Sequence, residues 1–315
     1  MTSAAVVGVF GKHRERRDFV RWGAEGELSA CLEAWLGAEL GRAMGRAGAL
    51  PDVAIRFALR RRGCSRILMG TWVESCDALG RRFPLIGYAE VEVPTGGRVA
   101  LASMASARFD AAMEVLLRGT FAAALDSGIG EILAPCEAEW EVAEARLGRY
   151  VRGLTVRGWG ERVFGGFAAL MPSAIDSASK LANAARRSVG RPVSARFVGG
   201  DLRDLALWMG VFGSDLTEWG AWLALWVESG DVCVLGLEEP QVDLLAALWP
   251  VAGGRARTWR FDPAYVQDLG AEARAALERP LSEVLAELAP ASAGPVRDRG
   301  RGSKGLRTPW GVPGG

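Results

Sequence analysis

The stretch IRFALRRRGCSRILMGTWV, residues 55–73, decides the fold class of this chain. It holds two short apolar runs, 55–59 and 66–73, on either side of a basic turn, and apolar runs of this length are typical of buried strands. A third run, FPLIGYAEVEV (83–93), follows and ends at the turn PTGG (94–97). Because these strands are joined directly, we expect a sheet that is at least partly antiparallel.

Helical patterns alternate with these strands. Residues 25–47 carry apolar side chains at helical spacing, and a second helix is predicted at about 107–126. A further strand is predicted at 4–11, where AAVVGVFG forms an apolar run closed by glycine. The mixed order of elements predicts an α/β (α+β) fold.

The clearest pattern in the second half is a hairpin. AWLALWV (221–227) alternates Trp222, Ala224 and Trp226 with leucines on the other face, and VCVLGL (232–237) follows a short turn. A strand is predicted at 194–199, and the glycine-rich stretch 152–166 is predicted to contain strand-like segments and turns. Further helices are predicted at 131–150, 173–189, 240–249, 262–278 and 281–289.

The length of 315 residues predicts two domains. We expect each domain to be a mixed or largely antiparallel sheet flanked by helices. The expected divisions are 1–130 for the first domain, 131–150 for a helical connector, 151–289 for a Trp-rich second domain and 290–315 for a disordered Gly/Pro/Arg-rich tail.

The net charge of +1 conceals separated blocks of charge. Residues 1–82 hold 14 basic and 9 acidic residues, whereas 201–245 hold nine acidic residues and one basic residue. A pI near 7.6 does not favour a nucleic-acid binder, and no apolar run is long enough to insert into a membrane. The start of the chain lacks the order of charges that a secretory signal has, so we expect a cytoplasmic protein with reduced cysteines.

Catalytic motifs are absent from the sequence. The single histidine, His13, lies in a hydrophilic loop where a surface position is expected, and no G-x-S-x-G surrounds any serine. The match of VGVFGK to a phosphate loop fails at Val6 and His13, and the G-x-G-x-x-G at 300–305 follows no strand. We therefore expect no enzyme activity, no cofactor and no metal site.

Twelve tryptophans are an unusual number, and six of them fall between residues 208 and 259. They are expected to fill the core of the second half, where each ring buries a large apolar area. The alternative is that they line a ligand groove or a partner surface.

Two segments become informative when they are taken together. The first is Val9-Phe10-Gly11-Lys12 with Asp18-Phe19-Val20, and the second runs from Leu68-Met69-Gly70 through Ser75 and Asp77 to Gly80-Arg81-Arg82-Phe83-Pro84-Leu85. With Glu33-Ala34-Trp35-Leu36 on the helix between them, these segments resemble the TagF (ImpM) family of type VI secretion accessory proteins. The resemblance covers roughly residues 6–130, and it departs from the family pattern at Arg14, Arg17 and Glu74.

The resemblance implies a cytoplasmic, non-catalytic regulator. Members of this family repress secretion-system assembly after translation, through a forkhead-associated scaffold protein of the same system. The residues that carry the resemblance are expected to form either a structural clasp or a partner-binding surface; they are Gly11, Lys12, Asp18, Phe19, Trp35, Ser75, Asp77, Gly80, Arg81, Phe83 and Pro84.

The residues themselves favour contacts between the two motif loops. Asp77 and Arg81 are four apart and could pair if the turn between them is helical. Arg81 or Arg82 could instead reach Asp18, and Ser75 is expected to cap the turn. Two alternatives stay open: a ligand- or partner-binding module that uses the Trp-rich half, and a hydrolase that uses Ser75 with Asp77 and Arg81.

Overall fold

The computed structural model describes most of the chain. The described residues are 6–23, 26–47, 52–61, 64–93, 99–119, 139–187, 193–212, 221–227, 232–237, 244–248, 258–261, 263, 270–271 and 275–288.

Within these ranges, strands from both halves of the chain form one nine-stranded sheet. Its order is β2-β1-β5-β4-β3-β7-β8-β6-β9, and all neighbours are antiparallel except β6 and β9. The strands are β1 (Val6–Lys12), β2 (Phe19–Gly23), β3 (Ile55–Arg61), β4 (Arg66–Val73), β5 (Leu85–Glu92), β6 (Val193–Val198), β7 (Ala221–Val227), β8 (Val232–Leu237) and β9 (Trp259–Phe261).

Helices cover both faces of the sheet. They are α1 (Glu27–Ala47), α2 (Ala102–Ala105), α3 (Ala107–Arg118), α4 (Glu139–Arg152), α5 (Val156–Phe164), α6 (Met171–Arg187), α7 (Leu202–Phe212), α8 (Leu244–Leu248) and α9 (Leu281–Leu288). In the described part of the chain, no helix combines the length and the apolar character that a membrane crossing requires.

The alternation of side chains along the strands divides the core into two layers. On β7, Trp222 and Trp226 point into the larger layer, where α2 to α7 and α9 contribute apolar side chains. Leu223 and Leu225 point into the smaller layer with α1 and α8. The chain is therefore an α/β fold with helices on either side of a mixed sheet, as the element order predicted.

Two domains, each with a sheet of its own, were expected, and the structure does not confirm this expectation. β3 of the first half pairs with β7 of the second half over seven residue pairs, from Ile55↔Val227 to Arg61↔Ala221. Most residues of both strands are buried on both faces of the sheet, so helices cover the two strands where they pair edge to edge. One sheet thus contains strands from both proposed units, and the boundaries at 130 and 151 stay a prediction.

Most predicted elements are confirmed within a few residues. The hairpin strands 221–227 and 232–237 have the predicted bounds, and Trp222 and Trp226 lie together on one face. The prediction of strand-like segments and turns at 152–166 is wrong, because most of this stretch is helical. Thr155 caps α5 by accepting a hydrogen bond from the N–H of Gly158. The predicted helix at 262–278 and the predicted disorder of 290–315 fall largely or wholly outside the described residues.

A buried carboxyl group on α3 makes the stability of this fold depend on pH. Asp110 is fully buried, its Oδ2 accepts a hydrogen bond from the Ser106 hydroxyl at 2.6 Å, and its Oδ1 has no hydrogen-bond partner in the described part of the chain. Burial raises the pKa of Asp110 to about 8, and burial also raises the pKa of Glu139 to about 7. A raised carboxyl pKa means that the folded protein keeps a proton which the unfolded chain releases above about pH 4.

We therefore expect stability to fall as the pH rises from about 4 towards 8. Asp110→Asn should remove much of this loss, because an amide cannot ionise, and its benefit should grow by about 2–3 kcal/mol between pH 5 and pH 7. Denaturant unfolding of both proteins at several pH values measures this, with Asp52→Asn as the exposed control. An equal effect of Asp110→Asn at pH 5 and pH 7 would show that the buried carboxyl is ionised in the fold.

Candidate functional site

Sheet pairing brings the two motif loops together. β1 and β5 are antiparallel neighbours with Gly11 opposite Leu85, so the loop that follows β1 lies beside the loop that precedes β5. We call residues 12–19 and 74–84 together the clasp. Every sequence-predicted site residue except Gly11 and Trp35 lies within it, and Gly11 adjoins it.

Asp77 is the centre of the clasp. Its side chain is fully buried and lies 3.0 Å from the ammonium group of Lys12. Arg81 Nε donates to Oδ2 at 2.7 Å, and the backbone N–H groups of Leu79 and Arg81 donate to Oδ1 at 3.0 and 2.9 Å. The predicted pair between Asp77 and Arg81 is confirmed, and Lys12 adds a second cation from the other loop.

These contacts decide the charge state of Asp77. Burial alone would raise the pKa of this carboxyl, but the hydrogen bonds from the backbone of Arg81, from Lys12 and from Leu79 outweigh it. The pKa of Asp77 is therefore held well below its usual range, and the group stays ionised at neutral pH. An ionised, fully bonded carboxylate fixes both loops instead of acting as an acid or a base.

Further contacts join the two loops directly. The N–H of Ala78 donates to the carbonyl of Arg16 at 2.8 Å, and Arg81 Nη2 donates to the carbonyl of Arg17 at 2.6 Å. Arg81 also lies 3.8 Å from the carboxylate of Asp18, as the sequence suggested. The backbone carbonyls of the charged loop after β1 are thus held by one backbone and one side-chain donor of the other loop.

Aromatic rings close one side of the clasp. The rings of Phe19 and Phe83 meet edge-on with centroids 4.8 Å apart, and Lys12 Nζ lies 5.5 Å from the centroid of Phe19. Phe83 and Pro84 precede β5, which begins at Leu85, so the strand starts two residues later than predicted.

The outer surface of the clasp has more basic than acidic side chains, although Glu15 and Asp18 are also exposed, and it is partly apolar. Arg14, Arg16 and Arg17 are exposed, and their guanidinium groups make no ion pair with the described residues. Leu79 is 62% exposed and Phe19 is 48% exposed beside them. We call this surface the arginine face; its residues are Arg14, Arg16, Arg17, Phe19, Leu79 and Arg82.

Ser75 does not take the role expected of it. Asp77, not Ser75, caps the turn, and the backbone carbonyl of Ser75 accepts from the N–H of Phe83 at 3.1 Å. The Ser75 hydroxyl makes no hydrogen bond to any described residue, and the carboxylate of Asp77 is occupied by Lys12 and Arg81. This arrangement offers no base to Ser75, so it gives no support to a hydrolase.

Two other residues of the first half, His13 and Trp35, are buried, and only the burial of His13 departs from the sequence prediction. His13 was expected on the surface, but only 3% of it is exposed. Burial is the main cause that lowers the pKa of His13, against a smaller raising effect of Glu15. Trp35 lies on the buried face of α1 in the smaller core layer, so its role in the resemblance is packing.

Metal ligands are not gathered in this region. Across the part of the chain that the structure describes, no three His, Cys, Asp or Glu side chains come together as they would around a metal ion.

Comparison with known proteins places the clasp inside a recognised domain. Residues 8–129 match the family described as TagF N-terminal domain, Type VI secretion system-associated. The chain carries a TagF N-terminal domain. The clasp and all of the strands β1 to β5, apart from the first residues of β1, lie within the matched residues.

Other comparisons give less. No curated protein matches the chain. A solved structure, the crystal structure of PA0076 from Pseudomonas aeruginosa PAO1, is 21% identical, with a TM-score of 0.31. The similarity covers 42% of this chain and 62% of that chain. The matched part of this chain thus covers less than two thirds of that protein.

Proposed function

We propose that this TagF-domain protein is a non-catalytic, post-translational repressor of a bacterial type VI secretion system that acts in the cytoplasm. It binds the forkhead-associated scaffold protein of the same system, and the arginine face of the clasp is the binding surface. The observation that supports this proposal most directly is that the motif residues rigidify two loops whose outer sides are exposed and basic.

The construction of the clasp suits a binding surface better than a catalytic one. Buried contacts of Asp77 hold the loops from within, so the exposed guanidinium groups of Arg14, Arg16 and Arg17 are presented without further ordering of the backbone. A surface that is already ordered loses less entropy on association. Arginine beside exposed apolar side chains is a composition enriched in protein interfaces, and its positive charge requires an acidic partner surface.

A charge reversal on the arginine face tests the proposal. The variant Arg14→Glu/Arg17→Glu should weaken the complex with the scaffold protein at least tenfold, because two attractive charges become repulsive at the interface. Co-purification and biolayer interferometry with the purified scaffold measure binding, and secretion of a type VI substrate measures repression. Secretion should rise when the variant replaces the wild-type protein.

The matched control is Arg152→Glu, an exposed arginine in the last turn of α4 outside the clasp. It should leave binding and repression unchanged. If the wild-type protein binds neither the phosphorylated nor the unphosphorylated form of the scaffold protein, the proposed partner is wrong. If binding survives the charge reversal, the arginine face is not the interface.

The alternative of a Trp-lined ligand site loses support from the structure. Trp208, Trp222 and Trp226 are fully buried in the larger core layer, as the packing interpretation predicted. Trp259 is 60% exposed on β9, whereas Trp219 and Trp249 lie outside the described residues.

A further inference from the structure

An open cleft of about 690 Å³ lies between the helices that cover the larger core layer. One face of α4 forms one wall, through Arg146, Arg149 and Tyr150, and Leu202 at the start of α7 forms another. Met104 and Ala107, at the junction of α2 and α3, also line it. None of these residues belongs to the clasp, and the volume lies within the range of about 300–1,000 Å³ that small-ligand sites occupy.

One wall of the cleft is ordered by a partly exposed network of hydrogen bonds and ion pairs around the buried carboxylate of Asp204. The Tyr150 hydroxyl donates to Asp204 Oδ1 at 2.7 Å, which fixes the ring at the cleft. The guanidinium groups of Arg203 and Arg162 lie 4.4 and 5.2 Å from the centroid of that ring. Both guanidinium groups also bind the carboxylate of Asp201. Asp201, the one carboxylate among the described residues that line the cleft, is thereby neutralised by two cations.

Arg146 and Arg149 carry charge that the cleft does not neutralise. They are three residues apart on α4, so their side chains lie on the same face of the helix. Both are exposed, and neither makes a hydrogen bond or ion pair with a residue in the described ranges; Arg146 acts on Glu139 only through its charge. Together with Arg203, they give the lining more positive than negative charge. The rest of the lining is partly apolar, through Met104, Ala107 and Leu202.

We propose that this cleft binds the phosphoryl group of an organic phosphate. A phosphate monoester carries up to two negative charges and three acceptor oxygens at neutral pH, which matches the two free guanidinium groups. Arginine is suited to this contact because its planar group donates two parallel hydrogen bonds. The apolar side chains of Met104 and Leu202 contact the organic part of the ligand.

Isothermal titration calorimetry with the full-length protein tests the site. The probes are 5′-AMP and phosphoserine, and their unphosphorylated parents are adenosine and serine. We expect at least one phosphorylated probe to bind and neither parent to bind, with an affinity that falls as NaCl is raised. Binding of 5′-AMP alone would assign the site to a free nucleotide-like phosphate, and binding of phosphoserine would assign it to a phosphorylated side chain.

Arg146→Gln/Arg149→Gln should weaken binding by roughly tenfold or more, because each glutamine removes a charge-assisted hydrogen bond. Both positions are exposed, so the melting temperature should not change. Arg152→Gln on the same helix lies outside the cleft and should bind as the wild type does. Failure of both phosphorylated probes at millimolar concentration, equal binding of a parent compound, or unchanged binding by the double variant would overturn the proposal. The scaffold protein is not needed, so the outcome is independent of the proposed function.

Discussion

Replacing Gly11 by alanine should destabilise the protein by about 4 kcal/mol, the combined cost of backbone strain and a backbone clash. Gly11 has a φ of +132°, a conformation that side chains with a Cβ rarely adopt. A Cβ added there would lie 2.1 Å from the carbonyl oxygen of Pro84, which is backbone and cannot turn away. The strand pairing of β1 with β5 would have to separate where the clasp begins.

Gly80→Ala is the matched control for this experiment. Gly80 also has a positive φ, +76°, but a Cβ there would meet nothing within 4 Å. It should therefore lose only about 1–2 kcal/mol, the cost of the left-handed conformation alone. Denaturant unfolding of the three proteins measures both values. Equal losses of unfolding free energy at the two positions would show that the backbone at Pro84 moves away from the added Cβ without destabilising the protein.

Removal of the carboxylate of Asp204 should cost about 3–5 kcal/mol, because buried donors lose their acceptor. This side chain is fully buried and accepts four hydrogen bonds. Oδ1 accepts from the Tyr150 hydroxyl at 2.7 Å and from Trp159 Nε1 at 3.0 Å. Oδ2 accepts from the N–H groups of Gly200 and Asp201 at 2.8 and 3.2 Å. The carboxylate thus ties α4 and α5 to the start of α7.

A graded series separates the contributions of this network. Asp204→Ala should have the largest effect and Asp204→Asn a smaller one, because the amide keeps one oxygen acceptor. Tyr150→Phe removes a single donor and should cost about 1–2 kcal/mol. Thermal unfolding followed by circular dichroism gives the order. A loss of less than 1 kcal/mol in Asp204→Ala would mean that water replaces the carboxylate.

Local patterns in the sequence identified most of the elements. The alternation of Trp222, Ala224 and Trp226 predicted both the strand and its buried face, because a two-residue period has one structural meaning. Asp77 and Arg81 do pair, but across a non-helical turn that the Asp77 carboxylate caps, whereas the four-residue spacing had presupposed a helical turn. The helix α5 was missed because glycines at 158 and 160 weaken a helical pattern, whereas the cap at Thr155 was the signal that could have revealed it.

Contacts between distant segments could not be predicted in this way. The pairing of β3 with β7 is a choice among buried apolar strands that look alike in composition, so no local pattern selects it. His13 stands among charged residues, and its burial depends on what packs over the loop after β1. The position of Lys12 beside Asp77 likewise follows from the register of β1 on β5.

The pairing of β3 with β7 also has a consequence for synthesis on the ribosome. About 160 residues separate Arg61 from Ala221. Of the two strands that pair with β3, β4 therefore emerges at once and β7 emerges much later. At a translation rate of about 5–20 residues per second, the edge of β3 waits roughly 10–30 s for β7. During that interval the strand offers unpaired backbone groups and apolar side chains to any other nascent chain. The interval before β3 pairs with β7 is thus the stage of synthesis at which a chaperone would protect the chain most.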